Sequence, residues 1–339
     1  MPRRLALAVG FTGSPEQNRE LIERIKVAEE VGVEAVFTAE TWGRDQFSLL
    51  TQIALATSKI KLGTGIAPVY GRSPAVLAMT AATLDELSGG RFILGLGTSG
   101  ARVIEHWHGE KFEKPLRRLR EYTEIINMIV RGEKVFYDGE IFKLQRGFRL
   151  LFQPVRPHIP IAIASISPKS MEQVGEIADA WMPIFWPKSK IQEGKEIVRR
   201  GSRRAGRPDD AVECWANITV VINPDVEKAK VQAAGPVSWY VTNMGDFYWQ
   251  MLARNGFAEE VAAMRKAAET SKPAPFQTTP EIMAAMGDRM LDEVAVYGDL
   301  ETVAAGLEER RRLGVDLPII SMPPGDLRTV ERVLGTLVA

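Results

Sequence analysis

The 339-residue chain carries 43 Lys and Arg against 43 Asp and Glu, a formal net charge of zero at neutral pH. That balance excludes the strongly basic surface expected of a protein that seeks nucleic acid or an anionic membrane. The single cysteine, Cys214, excludes an internal disulfide framework and suits a reducing cytoplasm, and three histidines leave little for a His-rich metal site. Apolar residues at 45% and charged residues at 25% describe a globular chain with a large core. No apolar stretch approaches the roughly 20 residues that a bilayer span requires.

Short apolar runs alternate with helical patterns from the start. The opening "MPRRLALAVGF" is too short in its apolar part for a signal segment and reads as a first strand over 5–11. Ser14-Pro15 opens a helix that Gly32 stops. A second strand covers 33–40 and a second helix 46–58. "KIKLGTGIAP" is the third strand, and the helix after it opens at Ser73-Pro74 and closes at Gly89-Gly90. "RFILGLGT" is the fourth strand, with a long helix from about Leu116. "KVFYDGEIFKL", with Asp138-Gly139 at its turn, signals a hairpin excursion at about 132–146. Strand five covers 159–166, strand six is "DAWMPIF", strand seven "VECWANITVVI" and strand eight 317–324, with a final helix over 326–338. The stretch between strands seven and eight holds helical patterns at 224–234, 257–270 and 280–292. The expectation is one α/β domain over 1–339, a (β/α)8 TIM barrel with a helical insertion at about 223–298 between strands seven and eight.

"RFILGLGTSG" ends in Gly95-x-Gly97-x-x-Gly100, the spacing of a dinucleotide-binding fingerprint. Three features oppose that reading. The residues after Gly100 do not read as an opening helix, the acidic residue at the required distance (Glu121) lies inside a helix, and the next extended segment is a hairpin. On a barrel, the same residues form the carboxyl end of strand four, where active-site loops gather.

The other strand ends then line one mouth. They supply Glu40, Thr41 and Trp42; Thr64, Gly65 and Ile66; Thr98, Ser99 and Gly100; Ala164, Ser165, Ile166, Ser167 and Lys169; and Phe185 with Trp186. The set contains no Ser-His-Asp triad, no carboxylate pair at glycosidase spacing and no metal-ligand cluster. A rim this poor in acids and bases implies that a bound cofactor supplies the chemistry. Glu40 has a structural alternative in a salt bridge, for instance to Arg44. His106 and His108 flank Trp107 without a third ligand nearby, and His158 falls at the opposite end of the barrel.

The stretches "AVFTAETWGRDQFSLLTQIALATSKIKLGTGIAPVYGRSPAVLAMTAATLDELSGGRFILGLGTSG", "EHWHGEKFEKPLRRLREYTEII", "FYDGEIFKL" and "IPIAIASISPKSMEQVGEIADAWMP" resemble the luciferase-like monooxygenase superfamily, and within it the coenzyme F420-dependent oxidoreductases. The resemblance covers roughly residues 1–200 and implies a (β/α)8 barrel with a deazaflavin in its mouth. It places Glu40 where the family usually has Asp, a non-prolyl cis peptide at Gly65–Ile66, Thr98 and Ser99 facing the cofactor, and a phosphate-holding turn over Ala164 to Lys169. Glu40 and Thr41 become the candidate catalytic positions. Sugar-phosphate dehydrogenases of this family have His and Glu where this chain has Thr41 and Gly100, so the expected reaction is hydride transfer between deazaflavin C5 and a small organic substrate. Reduction of an activated alkene, imine or carbonyl fits best. An FMN-dependent monooxygenase or reductase on the same barrel is the alternative, and a catalytically silent binding barrel the third. The resemblance also implies a homodimer, and the composition leaves the expectation of a cytoplasmic chain with no metal, nucleic-acid or membrane partner.

Overall fold

A computed structural model describes residues 3–10 and 12–339. Phe11, the expected end of the first strand, lies outside the described residues, as do Met1 and Pro2. The chain runs β1 (Ala6–Val9), α1 (Pro15–Glu30), β2 (Ala35–Thr38), α2 (Gln46–Ala56), β3 (Lys61–Thr64), β4 (Ala67–Pro68), α3 (Pro74–Leu87) and β5 (Phe92–Gly97). Ser14, Asp45 and Ser73 cap these helices through side-chain oxygens, and Ser14 with Gln17 completes a reciprocal capping box. The short helix α4 (Ala101–Val103) continues as a π-helical turn over Ile104–His108 and is followed by α5 (Pro115–Val130). A helix therefore does open at Gly100, contrary to the reading of the sequence. The dinucleotide fingerprint fails on its other two counts, because β6 (Val135–Asp138) and β7 (Lys143–Phe148) pair antiparallel and Glu121 is buried in α5.

The order then continues β8 (Ile161–Ile163), α6 (Pro168–Ile177), β9 (Ala180–Trp181), α7 (Ile191–Arg204), β10 (Glu213–Cys214) and β11 (Thr219–Ile222). Next come α8 (Val226–Asn243), α9 (Phe247–Leu252) with a π-helical turn over Ala253–Phe257, α10 (Ala258–Ser271), α11 (Pro280–Val294), β12 (Ala295–Gly298), α12 (Leu300–Arg312), β13 (Ile319–Ser321) and α13 (Leu327–Val338). The main parallel sheet has the order β10-β9-β8-β5-β3-β2-β1-β13, with β4 beside β5. It curls until its edges meet. Asn217 bridges Ile184 on one side and Ile319 on the other, and the Ile218 and Ile319 amides donate across the seam at 2.8 Å each.

Two further expectations need correction. The run read as strand seven divides: Glu213–Cys214 belongs to the main sheet, while Thr219–Ile222 leaves it and pairs in parallel with Ala295–Gly298. No Gly or Pro marks that break, and none separates Val294 from Ala295, so no breaker announces β12, which follows the helical pattern expected over 280–292. Helix α8 also runs on through Pro236, beyond the expected end at 234.

Inside the curl, Ala6, Ala35, Ala162 and Ala180 surround Phe37 and Trp215, whose rings lie 6.1 Å apart. Small side chains on neighbouring strands admit two large rings, each contributing about 1.5–3 kcal/mol by burial. The larger core lies between sheet and outer helices, and α8 to α11 form a separate cluster that packs against Phe185.

Candidate active site

The carboxyl ends of the parallel strands converge at one mouth. After β2, Glu40 is nearly buried, its side chain 12% exposed. Its partner is Arg72, not Arg44. Arg72 contacts both carboxylate oxygens and also reaches Asp45, while the amide of Gln46 donates to Glu40 at 2.9 Å. Arg44 instead donates to the carbonyls of Thr12, Gly13 and Ser14. Hydrogen bonding to Glu40 raises the Arg72 pKa. Burial pushes the Asp45 pKa up, but the amide of Ser48 and the Arg72 charge outweigh it and hold it low. Thr41 is half-buried beside this network, and Trp42 is exposed.

After β3, the peptide Gly65–Ile66 is cis, and both residues remain partly exposed. Thr64 does not join the rim. It is fully buried, and its hydroxyl donates to the carbonyl of Gly95 at 2.7 Å while accepting the Gly95 amide at 2.8 Å. Gly95 has no alternative there, since a Cβ would fall 1.8 Å from the Thr64 carbonyl oxygen. After β5, Thr98, Ser99 and Gly100 are partly exposed; Ser99 has φ of 57°, and nothing lies within 4 Å of a Cβ built on Gly100. The rim is open at Gly100, whereas a Cβ on Gly65 would meet that of Phe37 at 3.1 Å.

After β8, Ala164 and Ile166 are half-buried and Ser165 is buried. The hydroxyls of Ser165 and Ser167 both meet that of Ser170, and the indole of Trp181 donates to the Ser165 carbonyl at 2.8 Å. Ser167 therefore leaves the first turn of α6 without a side-chain cap, and Pro168 brings no N–H. The free amides of that turn favour an anion. Lys169 does not point there; it lines an outer groove with Arg117, Arg120 and Arg204. Trp186 is also committed elsewhere, donating to Lys190 O and packing edge-on against Trp181.

His106 is exposed and His108 packs beside Gly71, both on the π-helical turn after α4. Among the described residues no cluster of three His, Cys, Asp or Glu could hold a metal. His158 pairs with Asp179 at the start of β8, away from the mouth. The Cys214 thiol is buried and pushed far above its ordinary pKa, so it is no nucleophile.

Several rim residues have no signature in the sequence. Arg72 lies in "YGRSP", where only its position before a helix cap is visible. The helices after β11 lean over the mouth: Arg102 donates to Asn243 O, Arg254 contacts Ile166 O, and Phe185 packs edge-on against Tyr240 and Tyr248. Together the rim offers an ion-paired carboxylate, small residues with open backbone, a hydroxyl cluster at a helix N-terminus and an aromatic wall. It can bind and orient a flat anionic ligand, but holds no acid–base pair of its own among the rim positions read from the sequence.

The chain is 31% identical over 336 residues to a Mycobacterium tuberculosis protein whose name places it with the coenzyme F420-dependent oxidoreductases, covering 94% of each. It is 32% identical over 308 residues to the 5,10-methylenetetrahydromethanopterin reductase of Archaeoglobus fulgidus, covering 90% of each. Its fold matches that of the coenzyme F420-dependent tetrahydromethanopterin reductase from Methanopyrus kandleri with a TM-score of 0.84 at 24% identity, over 100% of this chain and 99% of that one. Residues 6–317 match the model of the luciferase-like monooxygenases, and the chain belongs to that family.

Proposed function

We propose that the chain is a coenzyme F420-dependent oxidoreductase that transfers a hydride between the deazaflavin C5 and a small organic substrate, reducing an activated imine, carbonyl or alkene. The observation that carries this reading is the partly exposed rim of Gly65, Ile66 and Thr98 to Gly100, open at the Gly100 Cβ position, at the same strand ends as the ion-paired Glu40. The F420 dependence named for the relatives supports it.

When bound, the cofactor supplies the reducing pair of electrons and the protein supplies place and orientation. Gly65, Ile66, Thr98, Ser99 and Gly100 form the wall against which the ring lies. Ser165, Ser167 and the free amides of α6 hold the anionic end. Glu40, fixed by Arg72 and Gln46, accepts a hydrogen bond from the ring or substrate, and Thr41 beside it lines the substrate face. In this reading the chain is one (β/α)8 domain over 1–339, and α8 to α11 are an insertion that covers part of the mouth.

We propose a homodimer joined through α2 and α3. Helix α2 has no charged residue, and Leu55 on it and Val76, Met79 and Leu87 on α3 stand exposed. Light scattering tests this: a mass of two chains supports it and a mass of one contradicts it.

Incubation with chemically reduced F420 and a panel of enones, imines and ketones, followed at the oxidised chromophore's absorbance, tests the activity. Oxidation that depends on both enzyme and panel member supports the proposal. Tight FMN binding with oxygen consumption would favour the FMN alternative, and silence toward both cofactors would leave a binding barrel.

A further inference from the structure

The helices over the mouth carry two phenols that the reading above leaves without a role. Tyr240 on α8 and Tyr248 on α9 meet edge-on with ring centroids 4.7 Å apart, and both rest on Phe185, which follows β9. Burial raises the pKa of both hydroxyls, Tyr248 the more strongly, with a further push from Tyr240; no hydrogen bond contributes to either shift. Yet both residues are only partly buried. A phenol at a partly buried residue, without a hydrogen-bond partner of its own, is available to a ligand.

Their immediate neighbours are aromatic. Tyr70 stacks on Phe112 at 5.4 Å, and Phe112 meets Phe247, the first residue of α9, at 6.3 Å. One end of this element is tied to the turn after β5 through Arg102 and Asn243, the other to the turn after β8 through Arg254 and Ile166. The phenols are thus held over the gap between the two turns assigned above to the cofactor.

We propose that Tyr240 and Tyr248 are the proton-donating wall of the substrate site, and that the substrate is a planar conjugated imine or carbonyl compound. This rests on the F420 reading. Flat aromatic walls select a flat π-system, and protonated phenols select a hydrogen-bond acceptor. In the reduction, a C–H bond forms at the electrophilic carbon with the hydride of the reduced deazaflavin. The π pair of the C=N or C=O bond moves to the heteroatom, and the heteroatom takes the phenol's proton. Water then reprotonates the phenolate. A phenol of raised pKa remains acid enough for this, because the alkoxide or amide anion that would otherwise form is far more basic. The pair supplies a proton donor that Thr41 and Gly100 do not.

The test combines Tyr240→Phe, Tyr248→Phe and the double variant with a panel of conjugated cyclic imines and enones, saturated secondary alcohols and hexose phosphates. The double variant retains its rings, so its melting temperature and its fluorescence-quenching affinity for F420 should match the parent's. Its turnover of conjugated panel members should fall by about 100-fold or more, the scale of general acid catalysis, and the parent's solvent isotope effect should disappear. An unchanged turnover in the double variant overturns the proton role. Turnover confined to saturated alcohols or hexose phosphates overturns the substrate class, as does failure of every conjugated compound while F420 binds. Absence of F420 binding instead overturns the cofactor reading and this proposal with it.

Discussion

Arg72 grips Glu40 through both terminal guanidinium nitrogens, with Nη2 2.8 Å from Oε1, and extends the same group to Asp45 at the start of α2. One cation thus ties the end of β2 to two helix N-termini, because Arg72 itself immediately precedes the cap of α3. Glu40→Gln keeps the shape and removes the charge. It should lower stability by about 1–3 kcal/mol, the range for a partly buried charged hydrogen bond, as read by urea denaturation, and lower turnover by a larger factor. Full activity would make Glu40 structural only.

Thr64 joins β3 to β5 with its hydroxyl. Thr64→Val leaves the Gly95 amide buried without a partner and should cost about 1–3 kcal/mol. If the role is structural, F420 affinity stays at the parent value when measured well below the melting temperature; a large loss of affinity would return Thr64 to the rim.

Glu121 is fully buried in α5 and accepts the amides of Glu140, Ile141 and Phe142 at 2.7, 3.0 and 2.9 Å, with Arg117 at 2.9 Å. One carboxylate therefore holds the turn of the β6–β7 hairpin. Glu121→Ala should destabilise the chain by about 3 kcal/mol and abolish hydrogen-exchange protection at those three amides. Protection equal to the parent's would contradict this.

His158 donates to Asp179 at 2.9 Å, which raises its pKa above the ordinary 6.5. A raised folded-state pKa stabilises the fold fully below the unfolded value and loses that contribution as pH climbs through the folded one. Denaturation midpoints should thus fall as pH rises from 6 to 8, and His158→Gln should flatten that part of the profile. An equal slope in both proteins would remove the assignment.

Periodicity and punctuation made most of the scaffold readable. Ser14, Ser73 and the paired glycines mark helix ends by local chemistry, and Glu40 and Thr98 to Gly100 are found by counting from strand ends. What could not be read depends on three dimensions. Whether Thr64 faces the rim or a neighbouring strand is decided by the pleat, and the direction of Lys169 by its phase on α6. Arg72 is a partner only because the turn after β4 brings it beside Glu40, 32 residues earlier in the chain. Tyr240 and Tyr248 come from helices whose docking no spacing encodes, and β11 separates from β10 with no breaker residue between them.

The central claim is that a deazaflavin lies against the small-residue rim, and Gly100 tests it most directly, because its Cβ position opens onto empty space and its φ of −115° suits any residue. Fluorescence titration with F420 should show saturable quenching by the parent chain and none by Gly100→Trp at unchanged melting temperature. Equal binding by both proteins, or none by the parent, would contradict the account.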